Sequence, residues 1–162
     1  MEKEIATVDI EKFVQFHKKR VELLKSFVDK NIHGRLVYQI SFLGLESLAK
    51  LLYLEKYPRD NQSKIRVIEL LSLPNMGISS DEAKKLYGFW RNSLIHQGFI
   101  ADPWTTLEGW GEYDDVILSF PHGLKSSVEL PPGSIVAVYE SRVDYFEEYF
   151  KKTNTKEIKL YN

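Results

Sequence analysis

The sequence predicts a mainly α-helical fold, an antiparallel bundle of about five helices with a small β-hairpin inserted before the last helix. Two observations lead to this fold class. Five segments repeat apolar residues at steps of three and four, which is the period of a helix that buries one face. The 162 residues are 43% hydrophobic, which is enough for the core of one domain. We therefore expect a single domain over residues 1–162, with its core at about 8–152 and an insertion at about 98–132.

The composition excludes several classes of protein. The chain has 22 Lys and Arg and 23 Asp and Glu, so its net charge is -1. It therefore has no overall positive potential that could hold a nucleic acid or an acidic membrane. Zero cysteines exclude disulfides, thiolate zinc sites and cysteine nucleophiles. The start of the chain does not resemble a signal peptide, and no apolar run approaches the roughly 18 residues that cross a membrane. We expect a cytoplasmic protein without membrane contact.

The first amphipathic helix is predicted over residues 7–32. Thr7 or Asp9 has the side chain to cap its first turn. His17 lies on the apolar stripe of this helix, where a hydrogen-bonded core or interface histidine is far more common than a catalytic one.

The second helix, predicted over residues 35–57, is apolar on nearly every side, which makes it the expected hub of the core. Ser41, Gly44 and Ser47 form a narrow ridge of small residues on it. This ridge predicts the close approach of another helix, and Pro58 then ends the segment.

Three further helices complete the predicted bundle. A short one covers residues 63–73, and the capping-box pair Ser79 and Glu82 begins a fourth that extends to about residue 97. Apolar steps of three and four predict the last helix over residues 134–152.

The remaining segments are predicted to be irregular or weakly structured. Residues 98–113 are expected to form a loop that is too long for a simple connector. Residues 116–120 and 127–130 can pair as the small hairpin. The polar, Lys-rich last ten residues, 153–162, are expected to be frayed.

The segment RNSLIH at residues 91–96, within the predicted fourth helix, contains the residues that could take part in catalysis. On a regular helix Asn92 and His96 share a face, whereas Arg91 lies roughly 140° around from His96. Arginine grips phosphate oxygens in pairs, and histidine takes and gives protons near neutral pH. This set of residues suits phosphodiester cleavage.

The reaction that fits without a metal is attack of an RNA ribose 2′-hydroxyl on its own 3′-phosphate. His96 would act as general base or acid, Arg91 would stabilise the phosphorane-like transition state, and Asn92 would orient the imidazole or the hydroxyl. DNA lacks this nucleophile, so the mechanism requires RNA. No cofactor and no metal site are predicted, because the sequence offers no cluster of metal ligands.

The motif and its setting resemble the HEPN domain, the higher eukaryotes and prokaryotes nucleotide-binding domain. An Arg, a polar residue that is commonly Asn, three to five residues and a His occur in that family late in a helical bundle of about this length. The apolar second helix with LESLAK at residues 45–50 adds to the resemblance, which covers about residues 8–152.

The resemblance implies a specific function and specific partners. Many members are similar to metal-independent endoribonucleases that dimerise so that the Arg and His of both subunits face one another, leaving a 2′,3′-cyclic phosphate. Arg91, Asn92 and His96 match those places. Many are toxins or defence nucleases restrained by a nucleotidyltransferase partner, an antitoxin. One branch is controlled through a tyrosine two residues after the histidine, where this chain has Gly98.

Charge near the motif leaves two interpretations open. Lys84 and Lys85 form, with Arg91, the nearest basic cluster, which either holds an RNA backbone or is a solvated face. No Lys or Arg lies between Arg91 and Lys125, and the acidic residues of that stretch oppose RNA binding. They are Asp102, Glu108, Glu112, Asp114 and Asp115.

This acidic stretch is either a solvated loop or a lid or docking site for a basic partner. Its Trp104 and Trp110 either stack on bases or, more commonly, cap the bundle core. Two functions from different classes therefore remain, a homodimeric HEPN-type ribonuclease and a catalytically silent helical binding or adaptor module.

Overall fold

The computed structural model describes residues 3–31, 34–74, 77–90, 105–108, 115–122, 126–130 and 132–161. The described part is mainly helical, with two small antiparallel sheets, which confirms the predicted fold class. In chain order the elements are β1 (Glu4–Asp9), α1 (Ile10–Asp29), α2 (Gly34–Leu52), a 3-10 turn (Asp60–Gln62), α3 (Ser63–Leu71), α4 (Ser80–Phe89), β2 (Thr105–Glu108), β3 (Asp115–His122), β4 (Ser126–Leu130), α5 (Pro132–Lys152) and β5 (Glu157–Tyr161).

Helix α1 begins at Ile10, three residues later than predicted, because Thr7 is part of β1. Asp9 is the N-cap, and its carboxylate accepts a hydrogen bond from the backbone N–H of Lys12 at 2.9 Å. Most of the described part of the predicted apolar stripe of α1 is buried, and His17 is buried with it, whereas Phe13 and Val28 are half-buried. The last predicted member, Ile32, lies outside the described residues. The helix therefore supplies one side of the core.

Helix α2 is the hub of the core, as predicted. It ends at Leu52 rather than at Tyr57, because the chain turns over residues 53–57. The close helix approach that was predicted at the ridge of small residues is found at Gly44. A Cβ placed on this glycine would lie 2.5 Å from Oη of Tyr139, so α5 crosses α2 closer than a larger side chain permits.

Helix α5 packs against both α1 and α2, while α3 lies between α2 and α4. Phe13 of α1 contacts Phe146 of α5 with ring centroids 5.2 Å apart, and Lys25 forms an ion pair with Glu140 at 2.8 Å. These contacts fix α1 and α5 as antiparallel neighbours. The buried Arg142 joins α5 to α3, since its guanidinium donates to the Leu70 carbonyl at 2.7 Å.

The prediction of a frayed end is wrong for residues 157–161. This segment is β5, which pairs antiparallel with β1 from Asp9 opposite Glu157 to Glu4 opposite Tyr161. Ile158 and Leu160 pack against the core. Alternating polar and apolar residues explain why this tail forms a strand with one face on the bundle.

The predicted hairpin is confirmed in the backbone, with β3 and β4 paired from Leu118 opposite Leu130 to His122 opposite Ser126. One correction concerns the long loop at residues 98–113. It contains β2, which extends the hairpin to a three-stranded antiparallel sheet through pairing with β3. Three strands support one another better than two, since an isolated hairpin is marginal in water.

None of the helices within the described residues is both long and apolar enough to span a bilayer.

Candidate active site

The predicted catalytic residues Arg91, Asn92 and His96 lie outside the described residues, so their arrangement stays a prediction. The described segment that precedes the motif, residues 77–90, ends at Trp90, directly before Arg91. Trp90 has helical backbone angles, φ -57° and ψ -51°, and its N–H donates to Leu86 and Tyr87 carbonyls. The chain is therefore helical up to the residue that precedes Arg91.

Trp90 is fully buried where it leads into the motif. Its indole stacks on Phe42 of α2, with ring centroids 5.5 Å apart and planes 14° from parallel, and it meets Tyr87 edge-on. An aromatic pair of this kind contributes about 1 kcal/mol beyond the area it buries. The packing holds the end of α4 on the middle of α2.

The start of α4 matches its prediction. Ser79 and Glu82 form the capping box, in which the Ser79 Oγ accepts from the Glu82 N–H at 3.2 Å and the Glu82 carboxylate accepts from the Ser79 N–H at 2.8 Å. Lys84 is exposed on this helix and lies 3.5 Å from Asp81. Lys85 is half-buried. Lys84 therefore has the solvent access that an RNA contact requires.

A second polar cluster lies in the core between α1, α2 and α5. His17 of α1 and Tyr139 of α5 form a short hydrogen bond between Nδ1 and Oη. Both side chains are buried, and Arg20 lies beside the Tyr139 hydroxyl. The bond confirms the prediction that His17 is a hydrogen-bonded core histidine.

The same contacts set the ionisation of both groups. Burial, with a smaller contribution from the nearby Arg20 guanidinium, lowers the pKa of His17 to about 4. Burial raises the pKa of Tyr139 to about 12, against the opposing effect of Arg20. His17 is therefore neutral at physiological pH, and the Tyr139 hydroxyl keeps its proton.

We expect His17 to make the fold sensitive to acid. The pKa of histidine is near 6.5 in the unfolded chain and about 4 in the native protein, so the unfolded chain binds the proton first as pH falls. The contribution of neutral His17 to stability is present above about pH 6.5 and is lost progressively as the pH falls to about 4. The expected loss is about 3 kcal/mol in the free energy of unfolding.

The measurement is urea unfolding of the wild type and of His17→Leu at a series of pH values. Carboxylates such as Glu147, whose pKa is lowered by Lys151 and Lys18, titrate in both proteins and cancel in the difference. The difference in free energy should change by about 3 kcal/mol between pH 6.5 and pH 4. A difference that is independent of pH contradicts the account.

No three His, Asp or Glu side chains gather into a possible metal site among the residues with described positions. Comparison with known proteins gives no match, since no family model, no curated protein and no solved structure matches the chain.

Sequence reasoning missed the partners of His17. It placed this residue on the buried face of α1 but did not identify Tyr139 or Arg20 beside it. The one sequence feature that pointed to this contact was Gly44. Where a helix crosses close to a glycine, a side chain of the crossing helix occupies the space that a larger residue would take, and here it is Tyr139 of α5. Which side chain fills it depends on the helix register, which the apolar periodicity leaves open.

Proposed function

We propose that this chain is a metal-independent endoribonuclease of HEPN type that acts as a homodimer. The observation that carries the proposal is the RNSLIH segment at residues 91–96, which follows directly on the buried, helical Trp90. Trp90 anchors the chain where it enters the motif, because its indole packs against Phe42 and Tyr87. Phosphoryl-transfer catalysis requires a preorganised site, and this anchor would contribute to one.

The proposed step forms a bond between the ribose 2′-oxygen and phosphorus and breaks the bond between phosphorus and the 5′-oxygen. A base takes the proton of the 2′-hydroxyl, and an acid gives a proton to the leaving 5′-oxygen. His96 serves as base or acid, and Arg91 stabilises the negative charge on the phosphorane oxygens. Asn92 orients the imidazole or the hydroxyl. The products are a 2′,3′-cyclic phosphate and a 5′-hydroxyl.

A dimer would allow Arg91 and His96 to act on one phosphate although they point in different directions on one helix. On a regular helix Arg91 points roughly 140° away from His96 of the same chain. It can instead serve the His96 of the partner subunit across a two-fold axis. Lys84 and Lys85 of α4 are the candidates to hold the RNA backbone near this site.

The biological role that accompanies this chemistry is that of a toxin or defence nuclease. In this role the activity would be restrained by a nucleotidyltransferase antitoxin. Growth arrest on expression of the wild-type chain, relieved by His96→Ala, is the cellular counterpart of RNA cleavage.

The test is RNA cleavage by purified wild type, His96→Ala and Arg91→Ala in the presence of EDTA. We expect His96→Ala to lose about 100-fold to 10,000-fold in rate, because general acid–base catalysis contributes that much. Arg91→Ala should lose about 100-fold to 1,000-fold, because one charge-stabilising group is gone. Arg91→Lys restores the charge but not the paired hydrogen bonds, so we expect partial recovery only.

His33→Ala is the matched control, since it removes an imidazole to which no catalytic role is assigned. It should cleave as fast as the wild type. Light scattering should show the same dimer for the wild type and His96→Ala. If the wild-type dimer leaves RNA intact, or if His96→Ala cleaves normally, the nuclease proposal is wrong and the silent adaptor module becomes the better account.

A further inference from the structure

A cleft of about 760 Å³ lies between β5 and the ends of α2 and α5. Four tyrosines line it, and we call it the tyrosine groove. They are Tyr53, Tyr145, Tyr149 and Tyr161. No residue of this groove belongs to the proposed nuclease motif.

The tyrosine groove follows the edge of β5 that β1 leaves open. Glu157, Ile158, Lys159 and Tyr161 all line it, although successive residues of a strand point to opposite faces. Glu157, Lys159 and Tyr161 point to one face of β5, and Ile158 points to the other. A cleft that is lined from both faces runs along the edge of the strand rather than over one face. No residue of β1 lines the groove, as expected for the edge away from β1.

This edge has unpaired backbone groups. Within the described ranges β5 pairs with β1 alone, and no backbone hydrogen bond reaches residues 157–161 from any other segment. A free strand edge beside an open cleft is a template for an added strand, which is a common mode of peptide recognition.

The tyrosines add side-chain contacts to this backbone template. Tyr145, Tyr149 and Tyr161 keep 36%, 41% and 53% of their surface exposed. Tyrosine offers a large rigid contact area at low entropic cost, together with a hydroxyl that bonds to peptide groups. Tyr145 and Tyr149 also line an adjoining cleft of about 440 Å³, so they form a ridge between two depressions.

The charges around the groove favour a basic occupant. The lysines that line the two clefts already have carboxylate partners, since Lys56 lies 2.6 Å from Glu69, Lys159 lies 3.3 Å from Glu4 and Lys152 lies 3.9 Å from Glu148.

Among the described carboxylates that line the two clefts, three form no ion pair: Glu55 and Glu157 in the groove and Asp144 in the adjoining cleft. Burial and the neighbouring Glu140 raise the pKa of Asp144, and this effect exceeds the opposing effect of Lys18 and Lys25. Because Lys56 and Lys159 pair with Glu69 and Glu4, no described ion pair neutralises Glu55 and Glu157, and they make the groove negative.

We propose that the tyrosine groove binds an extended basic segment of a protein partner, which pairs with the open edge of β5 as a third strand. Backbone hydrogen bonds to β5 would supply affinity, and Lys or Arg side chains would meet Glu55, Glu157 and the tyrosine ring faces. The uncompensated carboxylates repel phosphates, so RNA is the less favoured occupant. The proposal goes beyond the nuclease proposal and is independent of it.

The experiment measures binding of a fluorescein-labelled, capped eight-residue peptide of alternating Lys and Val to the full chain. We expect saturable binding with a Kd below about 1 mM, together with slower hydrogen exchange at alternate amides of β5. The Glu–Val peptide of the same length should bind at least about tenfold more weakly. The Lys–Val peptide with alternate backbone nitrogens methylated should also lose about tenfold, because it cannot donate to the strand edge.

Charge reversal in the protein separates the groove from the rest of the surface. Glu55→Lys/Glu157→Lys should weaken the Lys–Val peptide about tenfold, because two attractions become repulsions. Asp29→Lys/Asp81→Lys makes the same change in net charge at exposed positions outside the two clefts and should leave the Kd unchanged.

Several outcomes would overturn this inference. They are absence of saturable binding, equal binding of the acidic or the N-methylated peptide, equal weakening by both double variants, and tighter binding of an eight-nucleotide oligouridylate to the same groove. Each can occur whether or not the chain cleaves RNA, so this test and the nuclease test fail separately.

Discussion

Replacement of Arg142 by leucine is expected to destabilise the protein by about 4 kcal/mol. The side chain is fully buried, and its guanidinium donates to the carbonyls of Leu70, Leu71 and Leu73 at 2.7, 3.0 and 3.3 Å. The Leu70 and Leu71 carbonyls end α3 and lack a partner within that helix, whereas Leu73 lies in the segment that follows it. Leucine would leave the buried Leu70 and Leu71 carbonyls without this donor, and each unsatisfied group costs roughly 1–3 kcal/mol.

Denaturant unfolding measures this effect, with Arg142→Lys as the conservative variant. Lysine keeps the charge but not the fork of N–H groups, so we expect it to recover only part of the lost stability. Lys64→Leu is the control, because this exposed lysine of α3 should change stability by no more than about 0.5 kcal/mol. An Arg142→Leu protein within about 1 kcal/mol of the wild type would show that the guanidinium does not hold α3 to α5.

Two glycine substitutions in helices are expected to have opposite effects. A Cβ at Gly44 would overlap the Tyr139 ring, whereas a Cβ at Gly88 of α4 has no described heavy atom within 4 Å. Alanine favours a helix over glycine by about 1 kcal/mol, so Gly88→Ala should stabilise the fold by up to that amount. Gly44→Ala should instead cost about 2 kcal/mol, and Gly44→Leu about 3 kcal/mol or more.

The double variant Gly44→Ala/Tyr139→Leu tests the cause of the loss at Gly44. Removal of the ring should make the added methyl group much less costly, and a double-mutant cycle measures this coupling. Equal stabilisation by Gly44→Ala and Gly88→Ala would contradict the close helix crossing.

Most of the bundle follows from local patterns in the sequence. Apolar periodicity located all five helices, Ser79 marked the start of α4 correctly, and Asp9 was one of two candidates for the cap of α1. The Gly44 ridge also predicted a close helix contact, because a strip of small residues has a direct steric meaning. These signals depend on neighbours within about four residues, which a single sequence displays.

Contacts between distant segments were not predictable in the same way. The tail was expected to be frayed, because its partner strand β1 lies about 150 residues earlier in the chain. The role of Arg142 as a cap on α3 joins residues 72 positions apart. The charge and periodicity of each segment leave such pairings open, since they arise only when the helices have packed.

The same distinction between local patterns and distant contacts applies to the candidate site. The chemistry proposed for Arg91, Asn92 and His96 was inferred from residue types and spacing, whereas a composite site depends on how two copies meet. The tyrosine groove had no sequence signal, because its tyrosines come from three separate elements or turns. Only the fold brings them to one strand edge.

The central claim is that RNA is cleaved through its own 2′-hydroxyl, and the most direct measurement is of the ends that cleavage leaves. Mass spectrometry of an oligoribonucleotide incubated with the wild-type protein in EDTA should detect 2′,3′-cyclic phosphate and 5′-hydroxyl ends. A single 2′-deoxy substitution on the 5′ side of the scissile phosphate should abolish cleavage at that position. Cleavage that persists at the deoxy position, or that leaves 3′-hydroxyl ends, would contradict the account.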